Sequence, residues 1–153
     1  MRFEKILVTT DFSEESLAAV EFASYQTEME GSEVHIVTIV ADTFVPVGLF
    51  DYIPNPSELE TQRDAVIQAA KKRLSVIAKE KFHGQRISTE VLVSLKPAAQ
   101  EIADHAQKLG VNLIVMGSRG AGALGAFVLG SVVQKTIQLS SVPVLVIPKG
   151  ART

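Results

Sequence analysis

Between Glu33 and Val40 the chain carries VHIVTIV, a run too continuously apolar for a strand with one wet face. A strand of this kind must be covered on both sides, which is the situation inside an α/β sheet. Four more short β-type runs accompany it: Lys5 to Thr10 (KILVTT), Ile87 to Val93, the apolar Leu113 to Met116, and Pro143 to Ile147. Helical patterns separate them, so the order reads β-α-β-α-β-α-β-α-β, with no internal repeat. Such alternation argues for a parallel sheet with helices on both faces. Ligands of such sheets bind outside the carboxyl ends of the strands, where the strand order reverses.

The helices announce their ends. Ser13 reads as an N-cap, with Phe12 before it placed to staple onto Leu17. Leu17, Val20, Phe22 and Ala23 carry the apolar face of that helix, which ends near Gly31. Residues 41 to 56 are irregular, with Pro46, Pro54, Pro56 and Gly48. Their aromatics Phe44, Phe50 and Tyr52 suit either a loop anchored to the body or a cover over a ligand. Ser57-x-x-Glu60 is a capping box, and the helix after it is expected to reach about Phe82. Its expected buried stripe is Leu59, Val66, Ala69, Ala70, Leu74, Ile77 and Ala78. Lys71, Lys72, Arg73, Lys79 and Lys81 read as a solvated face. Pro97 begins the next helix, whose apolar positions are Ala98, Ile102, Ala106 and Leu109, and Gly110 closes it. A short helix is expected over Ser131 to Leu139.

One domain fits 153 residues, and 46% apolar content supplies a core. A formal charge of −2 gives no general attraction to nucleic acid or to an anionic membrane. The absence of cysteine excludes disulfides and thiolate metal sites. The start MRFEK does not read as a signal peptide, and no apolar run is long enough to span a bilayer. A cytoplasmic protein is expected.

Function points to the stretch from Val111 to Ser131, VNLIVMGSRGAGALGAFVLGS. A strand, a long loop of small residues and a helix start follow one another there. Such a backbone can approach a ligand closely, and the first helical turn offers unpaired N–H groups to an anion. Gly117, Gly120, Gly130 and Ser131 space as G-x2-G-x9-G-S.

That spacing, with VMGSRG before it, LGSVVQK and SSVPVLVIP after it, and KILVTTDFSE at the start, resembles the ATP-binding subgroup of the universal stress protein family. The resemblance runs through essentially the whole chain. It implies a Rossmann-like fold of the adenine nucleotide alpha hydrolase-like type, with strand order 3-2-1-4-5. Strands one and four are then neighbours, and Asp11 shares a crevice with Gly117. It also implies a nucleotide role for Asp11, at the end of a strand that closes on Thr9 and Thr10. Thr9 stands where family members often have proline. Asp11 also reads as a local turn or cap residue without an obvious partner.

Ile39, Val40 and Met116 read either as sheet core or as apolar walls for a base. Gly117 and Gly120 are expected at the ribose and α-phosphate. Gly130, Ser131, Val132 and Val133 are expected to offer amides, with the Ser131 hydroxyl, to the β- and γ-phosphates. Ser131 equally suits a plain N-cap, and the two roles are compatible. Arg119 either pairs with a phosphate or stays idle in solvent, and Lys135 is expected to be solvated.

The expected ligand is ATP with Mg²⁺ or Mn²⁺, with AMP or a cyclic dinucleotide as alternatives. The expected role is a stress-response or signalling module acting on an unidentified protein. A slow ATPase or phosphotransferase using Arg119 or Asp11 is the competing class, and a non-nucleotide oligomerisation module is a third. Gly120 to Gly125 matches G-x-G-x-x-G, but it follows the fourth strand, and residues 139 to 153 lack any acidic residue for a ribose. There is no G-x-x-x-x-G-K-[ST] and no G-x-S-x-G, and His35, His83 and His105 show neither ligand nor triad spacing. His105 reads as a surface or partly buried helix residue. The uncharged last strand, Val142 to Ile147, predicts pairing with its own copy in a homodimer, as the resemblance also implies.

Overall fold

Strand β1 (Lys5–Thr9) is sealed on both faces, with Ile6, Leu7 and Val8 wholly inaccessible. The computed structural model describes residues 2–42, 55–119, 129–148 and 150–151. After β1 come α1 (Glu14–Glu30), β2 (Glu33–Ala41), α2 (Pro56–Lys81), β3 (Ile87–Ser94), α3 (Ala98–Leu109), β4 (Leu113–Gly117), α4 (Ser131–Leu139) and β5 (Val144–Ile147). All strand pairs are parallel, and the order is β3-β2-β1-β4-β5, as expected. Leu7 stands opposite His35 of β2 on one side and Ile114 of β4 on the other. The chain builds outward from β1 to β3, then returns to lay β4 on the free edge of β1. The order therefore reverses between β1 and β4.

Alternate residues of each strand feed two cores. Ala19, Val20 and Ala23 of α1, with Leu74 of α2, pack on Ile6, Val8, Ile36 and Val115. Ile102 and Ala106 of α3, with Val133 of α4, pack on Leu7, Val37, Ile114 and Met116. Burying each such aliphatic side chain is worth about 1.5–3 kcal/mol, so these two layers dominate the stability. No helix among the described residues is long and apolar enough to cross a membrane.

Ser13 caps α1 as expected, its Oγ accepting the Ser16 N–H at 3.3 Å. Gly31 ends the helix at φ 69°, its N–H donating to the Thr27 carbonyl. The buried face of α1 differs from the expected one. It consists of Ser16, Ala19, Val20, Ala23, Ser24 and Thr27, while Leu17 and Phe22 are only half-buried. Small residues are needed because the helix lies very close to the sheet. A Cβ on Gly117 would stand 2.6 Å from the Glu15 carbonyl carbon and oxygen, and 2.7 Å from the Ser16 nitrogen.

Three local readings need correction. The Ser57–Glu60 capping box does not form: α2 begins two residues earlier, at Pro56, with Asn55 as a cap that makes no side-chain hydrogen bond. Ser57 is thus inside the first turn, where its carbonyl accepts from Thr61 Oγ1 at 2.8 Å. Proline, with φ preset for helix and no amide to satisfy, outcompetes the box as the starting residue. The stripe on α2 is also shorter than expected. Ala70 and Leu74 are buried and Ile77 and Ala78 partly so, but Leu59, Val66 and Ala69 are exposed. With 26 residues the helix is roughly 39 Å long, more than any strand of this sheet can back. In α3, Pro97 is the N-cap rather than the first helical residue.

The buried face of α3 is Ala99, Ile102, His105 and Ala106, while Ala98 and Leu109 are half-buried. His105 is thus a core residue rather than a surface one. Its Nε2 lies 3.3 Å from Glu90 Oε2 without the geometry of a hydrogen bond. Burial pushes its pKa below the ordinary 6.5, outweighing the opposing pull of Glu90 and Glu101; Lys108 and His35 push the same way as burial.

Two outcomes are expected. Gly117→Ala should lower stability by about 1–3 kcal/mol, because the added methyl meets backbone that cannot swing aside. In a thermal melt that is a drop of roughly 3–10 °C. His105 makes stability fall with acid: the unfolded chain takes up its proton near pH 6.5, whereas the folded form resists it to lower pH. Its contribution is complete above that pH, declines as pH falls, and levels off below the folded pKa. Urea midpoints at pH 7.5 and 5.5 should therefore converge between wild type and His105→Leu as the pH drops, if the variant is the less stable at 7.5, or cross over. A difference independent of pH would contradict this.

Candidate functional site

The strand order reverses between β1 and β4, the point at which sheets of this kind form a ligand crevice outside the carboxyl ends of the strands. On the β1 side, the Thr10 amide donates to the Val37 carbonyl at 2.9 Å and continues the sheet one residue past the strand. Thr9 and Thr10 are buried. The Thr10 hydroxyl oxygen accepts the Phe12 N–H and shares a hydrogen bond with Ser16 Oγ, both at 2.9 Å. These threonines shape the wall, and the exposed group is Asp11.

Asp11 does have a partner, two residues on. Its Oδ1 accepts the Ser13 N–H at 3.1 Å and the Ser13 hydroxyl at 2.5 Å. The side chain that caps α1 is therefore itself oriented by Asp11, in the local turn that aspartate favours. Such a carboxylate is fixed in direction while remaining open to solvent.

On the β4 side, Met116 is 4% exposed and belongs to the core under α3 and α4. Gly117 is buried under the first turn of α1, so its lack of a side chain has a packing cause of its own. The Ser118 amide donates to the Ile147 carbonyl at 2.8 Å, and the Ser118 carbonyl accepts from the Gly130 N–H at 2.9 Å. The chain that leaves the sheet after Gly117 thus returns to the same point twelve residues later. Gly120 lies outside the described residues, as do Gly122, Gly125, Phe44, Phe50 and Tyr52.

Helix α4 starts where the chain returns. Gly130, not Ser131, is its N-cap, and no side chain caps it. Gln134 N–H to Gly130 O, at 3.0 Å, is the bond that opens its ladder. The amides of Ser131, Val132 and Val133 precede it and have no acceptor inside the helix. Ser131 and Val132 are exposed, while the Val133 side chain is buried in the core and only its amide can serve a ligand. Gln134 Nε2 donates to the Leu129 carbonyl at 2.7 Å and pins the approach to the helix. Lys135 is exposed.

Arg119 is neither idle nor fully in solvent. Its Nη2 lies 3.8 Å from Glu15 Oε1, and both side chains are mostly covered. Glu15 sits in the first turn of α1, where a carboxylate is favoured by the helix dipole. Ile39 and Val40, just before the end of β2, are half-buried, and Ile39 packs against the α3/α4 core, so core is the reading its contacts support.

The sequence reading missed Ser16, Ser118 and Glu15. Their signals were faint: Ser16 follows the cap by three residues, and Ser118 sits unremarked inside VMGSRG. It also missed a hydrogen-bonded chain across β2 and β3, in which His35 Nδ1 meets Ser88 Oγ at 2.5 Å and His35 Nε2 meets Glu33 Oε1 at 2.8 Å. This chain lies near the amino ends of the two strands, opposite the crevice. Among the described residues, no three His, Asp or Glu side chains are grouped to hold a metal ion.

Known proteins match this arrangement from end to end. The model of the family described as "Universal stress protein family" matches residues 2–148. A universal stress protein of Bacillus subtilis, YxiE, is 32% identical over 95% of this chain and 99% of its own. The solved structure of MJ0577, a universal stress protein of Methanocaldococcus jannaschii, superposes with a TM-score of 0.80 at 27% identity, covering 99% of this chain and 100% of that one. The universal stress protein of Archaeoglobus fulgidus in complex with dAMP shares the fold, with a TM-score of 0.60 at 22% identity over 96% of this chain and 99% of that one. With the sheet order and a family match spanning nearly every residue in agreement, the chain belongs to the universal stress protein family.

Proposed function

We propose that this protein is a nucleotide-dependent stress-response module that holds an adenine nucleotide, ATP foremost, in the crevice between β1, β4 and the start of α4. The observation that carries the reading is the Gly130 N–H to Ser118 carbonyl bond. It sets three uncapped helix amides beside the ends of the two central strands, at the switch point where such sheets take ligands. The G-x2-G-x9-G-S spacing supports ATP, and the A. fulgidus structural neighbour with dAMP supports an adenine nucleotide in general.

In this reading the amides of Ser131, Val132 and Val133, with the Ser131 hydroxyl, receive the terminal phosphates. Gly117, Gly120 and Gly130 let the backbone approach, and Arg119 is poised to exchange Glu15 for phosphate. Asp11 receives adenosine donors, while Thr9, Thr10, Ile39, Val40 and Met116 form the walls behind it. Mg²⁺ or Mn²⁺ would arrive with the nucleotide, taking phosphate and water oxygens and neutralising their charge. Among the described residues no side chain is identified as a base for water, Asp11 being held by Ser13 and Arg119 being a permanent cation, so in this reading the nucleotide acts as a ligand and its hydrolysis is slow or absent. Nucleotide binding alters the surface offered to a regulated protein.

The same reading includes a homodimer. Strand β5 lies at a sheet edge, Val144, Leu145 and Val146 are half-buried, and Ile137 and Leu139 of α4 are exposed beside it. An uncharged edge of this kind is stabilised by pairing with its own copy.

Titration calorimetry with Mg-ATP tests the site. ATP at a hundredfold excess over Kd should raise the melting temperature by roughly 5–10 °C. Gly130→Ala with Ser131→Ala should abolish detectable binding and leave the fold intact; unchanged affinity would move the site elsewhere. Light scattering at micromolar concentration should report a dimer, and a clean monomer would refute the pairing.

A further inference from the structure

Phe12 adopts φ 66°, the one left-handed non-glycine residue among those described; the others at positive φ are Gly31, Gly84, Gly110 and Gly150. For a bulky aromatic residue this conformation is sterically disfavoured, so surrounding contacts must hold it. Three of them are visible. The Phe12 N–H donates to Thr10 Oγ1 at 2.9 Å, and the ring packs against the core beneath α1 and α2. The third is the guanidinium of Arg73, whose Cζ stands 4.3 Å from the ring centroid.

Arg73 belongs to the basic run Lys71-Lys72-Arg73 on α2, which in sequence is simply a solvated face. Among the described residues it makes no ion pair, and the ring of Phe12 is its directed contact. Phe12 in turn sits between Asp11 and Ser13, the carboxylate of the crevice and the cap of α1. A turn whose middle residue is strained relaxes when a clamp is removed, and Asp11 moves with it.

We propose that Arg73 is a positioning residue for the nucleotide site: stacked on Phe12, it clamps the turn between β1 and α1 in the left-handed conformation that directs Asp11 into the crevice. The proposal rests on the nucleotide reading above. It links α2 to the affinity of the crevice between β1 and β4.

The test is a double-mutant cycle on the full chain, read by Mg-ATP calorimetry and by amide hydrogen exchange of residues 11–16 without nucleotide. Arg73→Ala and Phe12→Leu should each weaken ATP binding about three- to tenfold and speed exchange of the turn by a similar factor. Phe12→Leu keeps the positive charge and removes the π face. Arg73→Ala should therefore add less than about twofold in the Phe12→Leu background. Arg73→Lys, which retains a cation over the ring, should recover much of the loss. An undiminished effect of Arg73→Ala in the Phe12→Leu background would mean that Arg73 acts through its charge alone, and would overturn the proposal. Unchanged exchange in Arg73→Ala would overturn it whether or not ATP binds. If the wild type fails to bind ATP while the turn loosens in both variants, the nucleotide reading falls and the role in positioning a ligand falls with it, the clamp itself being upheld.

Discussion

The first turn of α1 rests against the end of β4 so closely that no side chain fits on Gly117. Much of the crevice follows from that approach. It sets the Asp11–Ser13 turn, Glu15 and the residues leaving β4 within reach of one another, although a hundred residues of chain separate them. It also explains the composition of α1, whose inner face is built from serine, alanine, threonine and one valine rather than leucine. The Arg119–Glu15 pair forms on top of this contact and does not create it. At 3.8 Å this pair is too long for a strong charged hydrogen bond, whereas the exclusion beneath it is a contact with rigid backbone.

A second constraint closes the other side. Ser118 is held from one direction by Ile147 and from the other by Gly130, so β5, β4 and α4 meet at one residue. A long segment can be inserted at such a point at low cost, because closure entropy grows only slowly with loop length once the ends are fixed. The fold thereby separates two tasks. Two apolar layers carry the stability, while the junction of Ser118 and Gly130 sets the position of the helix start. The uncapped start of α4 belongs to the second task. In the proposed site each of its amides contributes little alone, and they act together because the helix points them in one direction.

The architecture was readable because it is written in local patterns. Continuous apolar runs marked the strands, Gly31 and Gly110 marked helix ends, and Ser13 marked a helix start; all reappear in the structure. The strand order was not in those patterns and came from family resemblance. Local signals failed where two competed. Ser57 and Glu60 offered a capping box, but Pro56 was already suited to start the helix. Leu59 and Val66 had the right spacing for burial, yet spacing cannot tell whether there is sheet left to cover them. His105 was misjudged for the same reason, since burial depends on what faces a residue and not on its neighbours in the chain.

At the site the division is sharper. Asp11 and Ser13 are two residues apart, and their hydrogen bonds lie within the reach of a turn reading. The run of glycines and the helix start at 131 are equally local facts. The packing reason for Gly117, the partner of Arg119, the closure at Ser118 and the stack of Arg73 on Phe12 join residues far apart in the chain. Periodicity and turn chemistry act over a few residues and can be read along a chain. Steric exclusion, ion pairing and ring stacking act across the distances that folding removes, so they appear only once the sheet has brought its crossovers together.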